Sequence, residues 1–255
     1  SGIFDRAFSQ DQKWIRVGDL QSYFYDYGAE TELSTNFLTW PTLYGNNQHT
    51  CRYKGLWLGA RNFTDPGDGL TVKSVKVIGA GPRLPENQFN MIFPQSIRLI
   101  GRYTHPTVIV NNAPGSSNPA YDSLDDLDPS LPCDRMVEMK FNTSMGVSVT
   151  KKVLAFTQDD HDDYFIYDLV FTNTGIYNEN GDTHDQILND FWVYFNYRYA
   201  FAGVTSSGFG STWGSFGSEW GTSTMQHDFN LDDPEGMRGF YCWYGPTNSW
   251  GHALE

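Results

Sequence analysis

From Phe191 to Phe201 every second residue is aromatic or β-branched: Phe191, Val193, Phe195, Tyr197, Tyr199 and Phe201. A period of two sends successive side chains to opposite faces, so the run predicts a β-strand with one fully apolar face. Its other face starts with Trp192 and Tyr194 and turns polar at Asn196 and Arg198, as where one end of a strand leaves a packed layer. Tyr164 to Thr172 is apolar on both faces apart from Asp168, which predicts a central strand buried on both sides. No stretch between the two has a helical period, and such strands need a second layer to cover them. The expected fold class is all-β: an antiparallel β-sandwich, a large one of two sheets, with long loops and little helix.

Further strands are expected at Lys13–Val17, Gly55–Ala60, Leu70–Ile78, Phe93–Tyr103, Thr107–Val110, Met136–Phe141, Gly146–Thr150, Val153–Phe156 and Gly239–Tyr244. Leu20 to Tyr27 suits either a strand or a single helical turn. The alternation in Leu70–Ile78 slips by one near Ser74, the mark of a bulge. Residues 65–69, Asp-Pro-Gly-Asp-Gly, carry turn chemistry. Gly79-Ala80-Gly81-Pro82-Arg83 lacks the third glycine and following helix of a nucleotide loop, and reads as a turn. Residues 111–134, rich in Asn, Pro, Ser and Asp, form the best loop candidate and the place where a subdomain boundary would fall. Otherwise residues 1–255 read as one large β-sandwich region. The last six residues have no stop logic, so the chain is expected to be a fragment of a longer one.

Thirty acidic residues against 17 basic ones leave a net charge of −13, which argues against nucleic acid or an anionic membrane as partner. No apolar run approaches the length of a membrane-spanning helix. The start, Ser1-Gly2-Ile3-Phe4, lacks the basic and apolar regions of a secretory signal. Cys51, Cys133 and Cys242 lie far apart with no C-x-x-C spacing, so they read as buried thiols, or as one disulfide and one thiol.

Motifs of catalysis are missing: there is no G-x-S-x-G, no H-E-x-x-H, and no cysteine beside a histidine. Asp159-Asp160-His161-Asp162-Asp163 reads as a solvated turn or as a Ca²⁺ contact. Asp122, Asp125, Asp126 and Asp128 form a third acidic group, but a glycosidase needs two carboxylates facing across a cleft, and among thirty acids such a pair is no signal. Asn178, Asn180 and Asp182 place oxygens at alternate positions around Gly181. They are candidate Ca²⁺ ligands or, with Asn180-Gly181, the tip of a β-hairpin. A tandem repeat, Phe-Gly-Ser-x-Trp-Gly-[Ser/Thr], spans residues 209–222. Phe209, Trp213, Phe216 and Trp220 supply stacking area for a neighbouring protein or a glycan, or pack against their own sheet.

Several phrases carry a resemblance. They are Ile15-Arg16-Val17-Gly18-Asp19-Leu20, Lys54 to Ala60, Val77 to Arg83, Leu131 to Met136, Asn142 to Gly146, and Asp163 to Tyr167 continuing to Phe171–Gly175. With them the chain resembles the N-terminal region of long, uncharacterised secreted bacterial proteins, many ending in a type IX secretion sorting domain. The resemblance implies an extracellular or cell-surface location and a longer parent chain, and it supplies no catalytic residue. The function expected is that of a non-enzymatic structural or assembly protein of the cell surface, an appendage or a filament, associating with itself or with other surface proteins. The alternative is a carbohydrate-binding or carbohydrate-active module using Trp213, Trp220, Trp243 or Trp250 as platforms. A Ca²⁺-stabilised scaffold is compatible with either.

Overall fold

A computed structural model of the chain describes residues 11–30, 38–40, 49–80, 91–105, 109–114, 123–199, 223–228 and 239–244. Every regular element among them is a strand. In chain order these are β1 (Gln12–Val17), β2 (Leu20–Tyr25), β3 (Leu38–Thr39), β4 (His49–Asp65), β5 (Thr71–Ala80), β6 (Ile92–Gly101), β7 (Ile109–Val110), β8 (Ala113–Pro114), β9 (Asp126–Leu127), β10 (Arg135–Thr143), β11 (Val147–Ala155), β12 (Ile166–Asn173), β13 (Asn189–Tyr199), β14 (Ser223–Asp228) and β15 (Gly239–Tyr244). One sheet runs β1-β2-β3-β4-β13, with β5 beside β4, and a second runs β12-β11-β10-β6-β9. The pairs β7/β8 and β14/β15 form separate hairpins. Among the described residues, only β6 and β9 pair in parallel; the other ladders are antiparallel.

The two sheets face each other because their alternating apolar sets coincide. Val137 and Met139 of β10 and Val147, Val149 and Val153 of β11 are all buried, in a register that pairs Val137 with Val153 and Phe141 with Val149. Opposite them, Leu56, Leu58 and Ala60 of β4, with Ile78 of β5, close one cluster with Phe141, Val147 and Val149. Ile15 and Phe24 close a second cluster with Leu99, Val137, Met139 and Val153. Each large side chain buried this way contributes roughly 1.5–3 kcal/mol. The molecule is the expected all-β sandwich.

Several elements differ from the sequence expectation. The Lys151-Lys152 pair, expected to separate two strands, lies inside one continuous β11. The expected short strand at Gly55–Ala60 is the middle of the 17-residue β4. Leu20–Tyr25 is a strand and not a helical turn. The run expected as a central strand, β12, ends its sheet among the described residues, with Ile166 and Val170 exposed on the outer side. Its apolar outer residues mark a surface and not a second buried face.

The slip near Ser74 is visible in the packing. Asn62, opposite Ser74, adopts a φ of 48°, and the β4–β5 pairing lapses there and resumes in the same register. Ala60 and Phe63 are consequently both buried, while Val72 and Val75 are both exposed. No extra residue enters one strand, so this is a lapse in both strands and not a bulge in one.

On β13, Phe191 and Val193 pack against the core, and Phe195 and Tyr197 line a cavity further along the strand, both of them exposed in part. Its register with β4 shifts between Asn189 and Trp192, where Asp190 has a φ of 45°. Within the loop expected at 111–134, residues 123–134 form a strap on the second sheet. The N–H of Asp125 donates to the Leu99 carbonyl at 2.9 Å, and that of Leu99 to Asp125 Oδ2 at 2.6 Å. Leu131 and Cys133 of the strap pack with Ile100 and Met136 on the outer side of that sheet. No helix among the described residues is long and apolar enough to cross a membrane.

Candidate functional site

Two features have the chemistry to recognise something else. The first is the outer face of the first sheet. Cross-strand pairing lines up Val77, Gly59 and Trp192 in one row and Gly79, Trp57 and Tyr194 in the next. Trp192 is 66% exposed, Tyr194 58%, Val75 59% and Val77 49%. The glycines shape this surface. Gly59 leaves the middle of its row flat, and Gly79 lies under the Trp57 ring, where a Cβ would come within 2.4 Å of the indole. Trp57 then meets Tyr194 edge-on, with ring centroids 6.0 Å apart. A contiguous apolar and aromatic face of this kind is uncommon on a surface that touches only water. Among the described residues, β13 ends the sheet beside this face and pairs only with β4.

The second feature lies between the sheets. The inward set of β11 includes Lys151, and that of β4 includes Lys54; both are buried, as is Glu30, which bridges to Lys54 in the backbone ladder. Lys151 Nζ donates to Glu30 Oε1 and, at 3.2 Å, to the Gly28 carbonyl. Lys54 Nζ lies 3.4 Å from Glu30 Oε2 and donates to the Tyr167 hydroxyl at 2.8 Å. That hydroxyl in turn donates to Glu30 Oε2 at 2.9 Å. Both ammonium groups also stand over the Tyr167 ring, 5.2 and 5.3 Å from its centroid.

Burial by itself would raise the Glu30 carboxyl, but the charges of Lys151 and Lys54 outweigh it and hold it below its ordinary value. Burial pulls Lys151 down, with Glu30 opposing. Burial and the Glu30 charge push Tyr167 well above the usual phenol range, so its hydroxyl stays protonated. A cavity of about 210 Å³ adjoins the cluster and is walled on its apolar side by Leu56, Leu169, Phe195 and Tyr197. The rings of Phe195 and Tyr197 are nearly parallel, at 7°.

The sequence reading anticipated the odd-numbered face of β13 but not this cluster. The available signal was a lysine at an inward position of an otherwise apolar alternation, Val147, Val149, Lys151, Val153, Ala155.

The sites expected from the sequence fare differently. Phe209, Trp213, Phe216 and Trp220 lie outside the described residues, as does Trp250. Asn178, Asn180 and Asp182 do come together, but in bonds to one another. Asn178 Oδ1 accepts from the N–H groups of Asn180 and Asp182 at 3.1 and 3.0 Å, and its Nδ2 donates to Asp182 Oδ2 at 2.8 Å. These are the bonds of a side-chain-closed turn. From the Asp159–Asp163 group, Asp162 and Asp163 meet Asp19 of the β1–β2 turn, all three carboxylates within 4.8 Å. Asp163 also accepts the Trp40 indole N–H at 2.6 Å. Three carboxylates are about half of the six to eight oxygens Ca²⁺ takes. Cys51 and Cys133 are buried thiols, as the first reading of the cysteines has them.

No protein-family model matches the chain, and comparisons with curated proteins and with solved structures likewise give no match.

Proposed function

We propose that this chain is a non-enzymatic, extracellular structural protein of the bacterial cell surface, an appendage or a filament, and that it assembles with further copies of itself. The observation that carries the reading is the exposed Val75, Val77, Trp192 and Tyr194 face beside the end strand β13. Two copies pairing their β13 edges antiparallel would continue the sheet and bring these faces into one plane, and stacking of the joined faces on those of further pairs would hold and propagate the assembly. The aromatic repeat at 209–222 follows β13 in the sequence and adds stacking area of the same kind. The likeness to secreted bacterial proteins supports the location.

Electron microscopy and sedimentation velocity of the native chain test this reading. Ordered polymers, or oligomers that grow with concentration, are expected. The double substitution Val77→Lys, Trp192→Lys is expected to leave a monomer whose stability lies within about 0.5 kcal/mol of the parent, because both sites are exposed. A parent chain that stays monomeric at every concentration would sink the proposal. A second reading, glycan binding, is favoured by the same Trp57, Trp192 and Tyr194 platform. It predicts tryptophan quenching by a polysaccharide and no polymer.

A further inference from the structure

Glu30 and Lys151 reach each other from different sheets. Glu30 is fixed to β4 of the first sheet by two backbone bonds with Lys54, each 3.0 Å, and Lys151 sits mid-strand in β11 of the second, between Met139 and Leu169. Both side chains are buried, that of Lys151 at 7% exposure and that of Glu30 at 2%. Nζ donates to Oε1 of Glu30 and, at 3.2 Å, to the Gly28 carbonyl, which steadies it over the carboxyl group. Holding two ions away from bulk water is costly, and burial already pulls Lys151 toward its neutral amine. An amide in their place carries no charge. Meanwhile Oε2 accepts from the Tyr167 hydroxyl at 2.9 Å and lies 3.4 Å from the Lys54 ammonium, so negative charge developing on that oxygen is met by two donors.

We propose that Lys151 and Glu30 condense into an isopeptide bond, an intramolecular amide that joins the two sheets covalently. Nζ gives one proton to Oε1 along the existing hydrogen bond and attacks Cδ with the lone pair so freed. The tetrahedral centre rests its negative charge on Oε2, between Tyr167 and Lys54. A second proton passes from Nζ to Oε1, the Cδ–Oε1 bond breaks, and Oε1 leaves as water. Ammonium and carboxylate thus become amide and one water, with no oxidant or other reactant. The fold supplies the encounter, since both partners are held in contact. The cavity of about 210 Å³ that both residues line gives the water a way out. The ion pair described above is the precursor of this bond. The proposal is independent of self-assembly, since the bond lies between the sheets and the association face outside them.

Mass spectrometry of the full chain, folded first and then denatured, tests the idea. The expected mass is one water below that of the sequence, and proteolysis is expected to release a branched peptide joining the segments around Glu30 and Lys151. Lys151→Arg is expected to restore the full mass and to leave those segments as separate peptides. Should that variant fail to fold, the branched peptide from the parent still decides. Tyr167→Phe removes a donor to Oε2 and is expected to slow the loss of water in freshly synthesised chain by roughly tenfold or more. A folded parent with the full sequence mass would overturn the proposal. So would a water lost elsewhere, such as a cyclic imide at Asp68-Gly69 that opens in mild base, with Glu30 and Lys151 in separate peptides.

Discussion

Asp26, just after β2, is 5% exposed, and its Oδ1 is buried with no hydrogen-bond partner among the described residues. Its Oδ2 accepts a long bond, 3.4 Å, from the Asp11 N–H. Burial, helped by the charge of Asp11, raises its pKa from 3.8 to about 7. The folded chain therefore holds a proton that the unfolded chain releases between those two values. The stability Asp26 contributes is complete below the unfolded value and is lost as pH rises through about 7. Asp26→Asn keeps the shape and removes the titration. In urea unfolding, the parent's midpoint is expected to fall between pH 5 and 8, while the variant's stays flat and is higher at pH 8, by on the order of 1 kcal/mol. Equal slopes would mean that Asp26 is solvated. Glu30 acts in the opposite sense, its depressed pKa giving stability that is lost only as acid protonates it.

Among the elements, β10, β11 and the inward face of β13 were legible because one alternation ran their length. The extent of β11 was not. A lysine pair reads as a break when the carboxylate that meets its buried member Lys151, Glu30, lies 121 positions away. Periodicity holds no record of that partner. The end position of β12 was hidden for a related reason: Ile166 and Val170 are apolar, and local sequence does not distinguish an exposed apolar face from a buried one. The outer face of β4, β5 and β13 likewise emerges only from register, which sets Gly59 and Gly79 between bulky neighbours. Gly79→Ala tests that register. Its Cβ would press on the Trp57 indole from 2.4 Å, so the ring must leave its place. The expected cost is about 1–3 kcal/mol, with a shift in tryptophan emission. An unchanged spectrum and melting temperature would mean that Trp57 does not lie over Gly79.

At the scale of the whole molecule, the buried residues form several clusters, and two buried thiols mark two of them. Cys51 packs with Leu20 and Leu38, where β2, β3 and β4 converge. Cys133 lies beneath the 123–134 strap, against Ile100 and Met136. Burial also raises the Cys133 pKa, which slows its reaction even once it is reached. Each thiol can be alkylated only while its own cover is open, so the pair works as two clocks on the lifetime of the native state. In a Cys242→Ser background, mass-resolved alkylation corrected for thiolate content is expected to mark Cys133 before Cys51, because a strap can lift without parting a sheet. Equal rates would instead show that strap and sheet come apart in a single event, leaving the molecule no partly open state through which protease or solvent could enter.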